Sequence, residues 1–276
     1  MWAHTIAAQR AGLAQRHYRA CTLCEHRCGV DRVGGQRGRC QAGVEARVWR
    51  HRVECGEELE LIPSHLFYLS GCNLGCEFCV QGPEAFDASQ GRRLEGRWLV
   101  EAIDWGIAQG ARNVQWIGGE PTVHLPAILA ASAECGHLPP VVWKSNFFAT
   151  QETWDLLDGL VDVYVADFKF GNDDCARRLS GVDDYLAIVT RNLQAVARRA
   201  RLIVRHLLLP GHFDCCYRPI VTWMRLRLPR TAISIREGYL PSWRAGRHQE
   251  LCGPLDRQSG ARAHALAAES GLNVIE

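Results

Sequence analysis

The stretch "LSGCNLGCEFCVQG", residues 69–82, carries three cysteines, Cys72, Cys76 and Cys79, spaced C-x3-C-x2-C. Soft thiolates select zinc, copper(I) or iron–sulfur clusters. A structural zinc site is closed by four ligands, commonly as two C-x2-C pairs. This loop supplies three. A cubane iron–sulfur cluster held by three thiolates keeps one iron open, and a small molecule with adjacent amine and carboxylate groups can chelate it. The competing reading, three buried core cysteines, fits poorly with the polar, glycine-containing loop around them.

Outward from this loop the chain alternates between short apolar runs and amphipathic segments. Strands are expected at 65–71, 113–119, 141–147, 161–170, 201–211 and 231–237, with helical segments between them. Apolar strands separated by helices argue for a parallel sheet with right-handed crossovers. Six units fall short of the eight that close a full barrel. The expected fold is therefore α/β, a partial (β/α)6 TIM-like barrel over residues 61–276, with a small N-terminal cysteine-rich metal-binding element in residues 1–60. Function in parallel α/β folds gathers at the carboxyl ends of strands. The unusual residues fall there: Cys72 after the first strand, "GGEP" after the second, Lys144, Ser145 and Asn146 on the third, Asp167 and Lys169 on the fourth, and "RHLLLPGH" on the fifth.

Composition narrows the function classes. With 276 residues and 47% hydrophobic content the chain can bury a sizeable core. A net charge of +2 gives no electrostatic case for nucleic acid or an anionic membrane. No apolar run approaches the roughly 20 residues of a membrane span, and the first twenty residues lack a secretory h-region, so a cytoplasmic location is expected. Thirteen cysteines in such a chain read as metal ligands or reactive thiols before disulfides. Thirty arginines stand against two lysines, Lys144 and Lys169. Where charge alone is needed this chain uses arginine, so the two lysines mark positions where a compact ammonium matters.

"CNLGCEFC" resembles the C-x3-C-x2-C motif of the radical S-adenosylmethionine (SAM) superfamily, including the aromatic residue before the last cysteine. "IGGEP", 117–121, resembles that superfamily's GGE motif, and the two occur in the expected order about 40 residues apart. The resemblance covers roughly residues 62–240. It implies that Cys72, Cys76 and Cys79 ligate a [4Fe-4S] cluster whose fourth iron is chelated by SAM. By the same likeness Gly118, Gly119 and Pro121 allow close backbone approach, Glu120 accepts a hydrogen bond from the SAM amine, and Phe78 lies near the adenine. The chemistry implied is reductive SAM cleavage to a 5′-deoxyadenosyl radical that abstracts hydrogen from a substrate.

Within the superfamily the pattern resembles pyruvate formate-lyase activating enzymes and their uncharacterised PflX-like relatives. "CVQ", "DFK" and "VRHLLLPG" are similar to activase motifs, which would place Asp167 and Lys169 near SAM and substrate and Arg205 and His206 at the mouth. "KSNF" departs: Lys144 replaces an Asp that in activases helps hold a monovalent cation near SAM. The expectation is that Lys144 stands in for the cation and pairs with Asp167, with Ser145 and Asn146 beside it.

Cys21, Cys24, Cys28 and Cys40, spaced C-x2-C-x3-C-x11-C, read as a closed four-thiolate site, a second [4Fe-4S] cluster in preference to zinc. They are similar to the N-terminal cysteines of PflX-like proteins. Cys135 reads as core, and Cys55, Cys175 and Cys252 are left unassigned. Cys215 and Cys216 are candidates as ligands or a hydrogen donor, but neighbouring side chains are expected to diverge, so the favoured reading is that they do not serve one site. The reading favoured for the whole is a glycyl-radical-activase-like enzyme that abstracts hydrogen from a protein or peptide, with reduced flavodoxin or ferredoxin as electron donor. Modification of a small metabolite or peptide crosslinking is the alternative, and a non-catalytic iron–sulfur carrier or sensor is the reading of another class.

Overall fold

The computed structural model describes residues 3–56 and 58–276. The chain divides into two compact units, Met1–Asn73 with Pro83–Ser145 and Ala149–Val163, and Leu74–Gly82 with Asn146–Phe148 and Tyr164–Glu276.

The first unit contains strands β1 (Arg47–Glu54), β2 (Ser64–Leu69), β3 (Arg92–Arg93), β4 (Asn113–Gly118) and β5 (Val141–Ser145), and helices α1 (Ala3–Ala14), α2 (Pro83–Phe86), α3 (Gly96–Ala108), α4 (Leu125–Ala133) and α5 (Gln151–Leu157). Its strands lie in the order β3-β1-β2-β4-β5. β2 and β5 are buried along their whole length, as expected for strands covered on both faces. β2 pairs in parallel with β4, and β4 with β5. β1 runs antiparallel to both β2 and β3. The α1 helix packs on α4.

The second unit contains β6 (Val163–Asp167), β7 (Arg201–Leu207), β8 (Ala232–Arg236) and β9 (Val274–Ile275), with helices α6 (Asp173–Ser180), α7 (Tyr185–Val196), α8 (Arg218–Arg227) and α9 (Ser259–Glu269). The order is β6-β7-β8-β9, with β7, β8 and β9 parallel. Asn172 starts α6 by accepting from Cys175 N at 2.7 Å, and Gly181, at φ +66°, ends it in the left-handed region that favours glycine. No helix among the described residues is long and apolar enough to cross a membrane.

Two features correct the expected fold class. The sheet of the first unit is mixed, because an antiparallel pair flanks the parallel strands. And the N-terminal cysteines do not form the metal-binding element expected of them. Among the described residues, the group of metal-ligating side chains whose ligand atoms all lie within 4.8 Å of one another is Cys175, His212, Cys215 and Cys216, well past the N-terminal segment. The segment around Cys21, Cys24, Cys28 and Cys40 is instead organised by Arg32. This buried guanidinium donates to Val123 O (2.7 Å), Gly43 O (3.4 Å) and the Cys21 sulfur (2.9 Å). Main-chain bonds from Cys21 N to Val30 O and from Arg32 N to Tyr18 O close the turns. Cys24 and Cys40 are buried and Cys28 is exposed. Burial pushes the Cys24 thiol up to about 12, so at neutral pH it packs as a neutral side chain.

The Lys144 ammonium is buried and lies 3.3 Å from the buried Glu58 carboxylate. Removing one member of such a pair strands the other charge in a dry site. Glu58→Ala is expected to lower unfolding stability by about 3–5 kcal/mol. The Glu58→Leu, Lys144→Met double variant should recover most of that loss in urea denaturation, and no recovery would show that the pair's charges are not what the single variant lost.

Candidate functional site

In the first unit the GGEP segment is pressed against the chain that leaves β2. Gly118 sits at φ +84°, and a Cβ there would meet Leu69 N at 2.6 Å. A Cβ on Gly119 would meet Gly71 O at 2.1 Å, so only glycine fits. Glu120 N then donates to Gly71 O at 2.8 Å. The Glu120 carboxylate is buried, and its Oε1 accepts from Thr122 N (3.0 Å) and from Ser145 Oγ (2.8 Å). Pro121 opens the short helical turn that follows. His124 in that turn reaches the Ser70 carbonyl through Nε2, and burial lowers its pKa to about 4. Cys72 therefore leaves a loop held at Ser70 and Gly71 by the same segment that presents Glu120.

In the second unit, residues 74–82 dock on the end of α6. Gly75 N donates to Ser180 O (3.0 Å) and Glu77 N to Leu179 O (2.9 Å). These amides occupy carbonyls that a helix terminus leaves without intrahelical partners. Phe78 packs edge-on against Phe170 at 6.0 Å, and Phe170 against Tyr185 at 5.2 Å. Cys76 is buried, and burial drives its thiol up to about 12 against the opposing pull of Lys169. Burial likewise raises the Cys79 thiol. No cysteine among the described residues is in a disulfide.

Strand ends β6 and β7 bring three charged groups together. Lys169 Nζ lies 2.8 Å from Asp167 Oδ2, and Arg205 Nε lies 3.5 Å from Asp167 Oδ1. Burial alone would favour the neutral amine of Lys169, but the Asp167 carboxylate and the Cys76 sulfur outweigh it and raise its pKa. The Lys169 main-chain N donates to Tyr185 Oη at 2.8 Å, which fixes its backbone. His206, next along β7, does not join this set. Successive strand residues face opposite sides, and its Nδ1 donates to Phe168 O at 2.7 Å while its ring packs on Tyr217. Arg205 also lines a cavity of about 350 Å³ at the ends of β7 and β8, where the charged Arg236 and Glu237 stand beside the apolar Phe78, Leu207 and Ile235, with Val80 and Leu240 exposed at its rim.

The remaining expected residues are also placed. The Asn146 side-chain oxygen accepts from Phe148 N at 2.9 Å. Lys144 meets Glu58, a partner the sequence did not suggest. The larger omission is the group of Cys175, His212, Cys215 and Cys216. Its signal was H-x2-C-C directly after the fifth strand together with a lone cysteine shortly after the fourth.

The family model of the radical SAM superfamily matches residues 66–224. The chain belongs to the radical SAM superfamily. It is an enzyme of that type, and the matched span runs from β2 into α8. It is also 33% identical over 272 residues, 95% of this chain and 78% of its relative, to the uncharacterised protein MJ0674 of Methanocaldococcus jannaschii. Among solved structures, Streptococcus suis SuiB bound to its precursor peptide SuiA superposes with a TM-score of 0.54 at 13% identity, over 74% of this chain and 46% of SuiB. A radical SAM methyltransferase from Sphaerobacter thermophilus gives 0.55 at 14% identity, over 76% of this chain and 65% of that one. The chain thus spans about half to two thirds of the solved structures it matches, and at these identities the likeness is one of fold.

Burial lowers the His206 pKa to about 4, against about 6.5 in an unfolded chain. The unfolded state then binds the extra proton first, so this contribution to stability is present above pH 6.5 and is lost as pH falls towards 4. It amounts to at most about 3 kcal/mol. The difference in denaturant midpoint between pH 7 and pH 4.5 should shrink in His206→Gln, and an unchanged difference would exclude His206 as a source.

Proposed function

We propose that this radical SAM enzyme modifies a peptide or protein substrate by hydrogen abstraction, in the manner of a peptide-crosslinking enzyme. The observation that carries this reading is the fold likeness to SuiB in its complex with a precursor peptide. The cavity beside Arg205 supports it: it is open to solvent, and its lining mixes apolar side chains with Arg205, Arg236 and Glu237, which suits an extended chain lying across the strand ends better than a small metabolite enclosed on all sides.

The residues present fit the family's cofactors. Three cysteines in one loop, outside any disulfide, are the donor set such a group needs. Cys72, Cys76 and Cys79 would hold a [4Fe-4S] cluster and Glu120 the SAM amine, with Gly118, Gly119, Pro121, Phe78, Ser145, Asn146 and Asp167 around the ligand. When bound, the cluster supplies the electron that cleaves SAM reductively, drawn from a low-potential donor of the flavodoxin or ferredoxin type.

What the chain's own residues contribute follows from their placement. Ser145 and the Thr122 amide fix the position of the Glu120 carboxylate, which would accept from the ligand's ammonium. Asp167 lies between Lys169 and Arg205. Lys169 stays protonated and offers a fixed positive charge to a substrate carbonyl or carboxylate. Phe78, Ile235 and Tyr239 exclude water from the neighbouring surface.

Anaerobic reconstitution with iron and sulfide, reduction with dithionite and addition of SAM should yield 5′-deoxyadenosine in the wild type and none in Cys72→Ala. Glu120→Gln should raise the KM for SAM about 10–100-fold, the loss of one charge-assisted hydrogen bond. Peptides from the native proteome should stimulate deoxyadenosine formation and change mass in a SAM-dependent way. Turnover stimulated only by the small-molecule fraction would replace the peptide reading with a metabolite one.

A further inference from the structure

Cys175, His212, Cys215 and Cys216 all lie in the second unit, and the chain goes to some length to bring them together. Cys175 is in the first turn of α6. His212 ends the "LPGH" turn after β7, and Cys215 and Cys216 follow within a single turn of π-helix, Phe213–Tyr217. The wider π turn is what overturns the expectation that Cys215 and Cys216 diverge: their sulfurs lie 4.0 Å apart.

The distances describe the edges of a small tetrahedron. His212 Nδ1 lies 3.5 Å from the Cys175 sulfur, 3.4 Å from that of Cys215 and 3.7 Å from that of Cys216. The Cys175 and Cys215 sulfurs are 3.8 Å apart. A tetrahedral zinc with Zn–S of about 2.3 Å and Zn–N of about 2.0 Å has S···S edges of about 3.8 Å and S···N edges of about 3.5 Å. Thiolates on a cubane bind separate irons and stand further apart, so this group is sized for one ion.

The surroundings agree. His212 presents Nδ1 to the sulfurs, while its Nε2 faces away from them, towards Arg178 Nη2 at 3.4 Å and Glu250 Oε1 at 3.7 Å. Arg178 pairs with the same carboxylate. Asn172 Nδ2 reaches the Cys175 sulfur (3.2 Å), the Cys216 sulfur (3.7 Å) and Cys215 O (2.6 Å). A Cβ on Gly171 would meet Cys216 O at 2.2 Å, so the two chain segments close only because that residue is glycine. Cys175, His212 and Cys216 are buried.

We propose that Cys175, His212, Cys215 and Cys216 form a closed, structural site for one divalent zinc ion, separate from the C-x3-C-x2-C motif. Four protein ligands leave no position for a substrate. The ion ties the start of α6 to the turn after β7 and so braces the segments that carry Asp167, Lys169 and Arg205. Binding is accompanied by loss of the three thiol protons to solvent, with no change of oxidation state.

The full chain, purified anaerobically and loaded with zinc alone, should retain one zinc per chain against a chromophoric chelator. Its zinc-edge absorption should show three sulfurs at about 2.3 Å and one nitrogen at about 2.0 Å. His212→Gln should remove the nitrogen from the shell, and Cys21→Ala should change neither count nor shell. A four-sulfur shell, no retention against the chelator, or zinc lost in Cys21→Ala would overturn the assignment. The wild-type shell decides it even if His212→Gln fails to fold. Because zinc content is read without SAM turnover, its failure is distinguishable from failure of the radical reading.

Discussion

The contact between Gly119 and the Gly71 carbonyl is the constraint from which the GGEP end of the first unit follows. Two stretches some fifty residues apart in sequence run so close that a methyl group would not fit between them. Because the approach is backbone to backbone, it sets the positions of Cys72 and Glu120 with no dependence on side-chain rotamers. The Glu120 amide closes the contact with a hydrogen bond, and the carboxylate is then aimed by Thr122 and Ser145. An arrangement held this way loses little to thermal motion, which is what positioning a charged ligand requires.

Charge in the second unit is managed differently. One carboxylate, Asp167, faces two cations, and the backbone of Lys169 is pinned by the Tyr185 hydroxyl. Lys144 is the counterpoint: its charge is neutralised in the interior by Glu58. The scarcity of lysine thus has two distinct outcomes, one ammonium placed at a strand end and one sealed in a core pair.

How much was legible depended on range. The six apolar runs became strands because each is bounded by a turn and covered on both faces, a pattern local to the run. β1, "RVWRHRVE", escaped because its charges face outward on a strand with an exposed side, and β3 and β9 are too short to carry a pattern. The C-x3-C-x2-C and GGEP motifs were legible because their chemistry is written in consecutive residues. The N-terminal cysteines misled for the same reason: regular spacing invites a metal, whereas the segment closes around the Arg32 guanidinium, a partner no spacing rule encodes. Glu58 and the Cys175–His212 group depend on long-range closure, and Cys215 with Cys216 on a local π turn that sequence does not announce.

The α6 helix has two and a quarter turns and both its ends are spoken for. Its first turn carries Cys175, and its last carbonyls receive the amides of Gly75 and Glu77 from the loop that bears Cys76 and Cys79. A helix this short does not bend appreciably, so displacement at one end is transmitted to the other as rigid-body motion. Order imposed on either end lowers the entropy that remains to be lost at the other, and thermodynamic linkage makes that gain mutual. The helix thus joins the segment that carries Cys175 to the loop that carries Cys76 and Cys79 as one rigid piece.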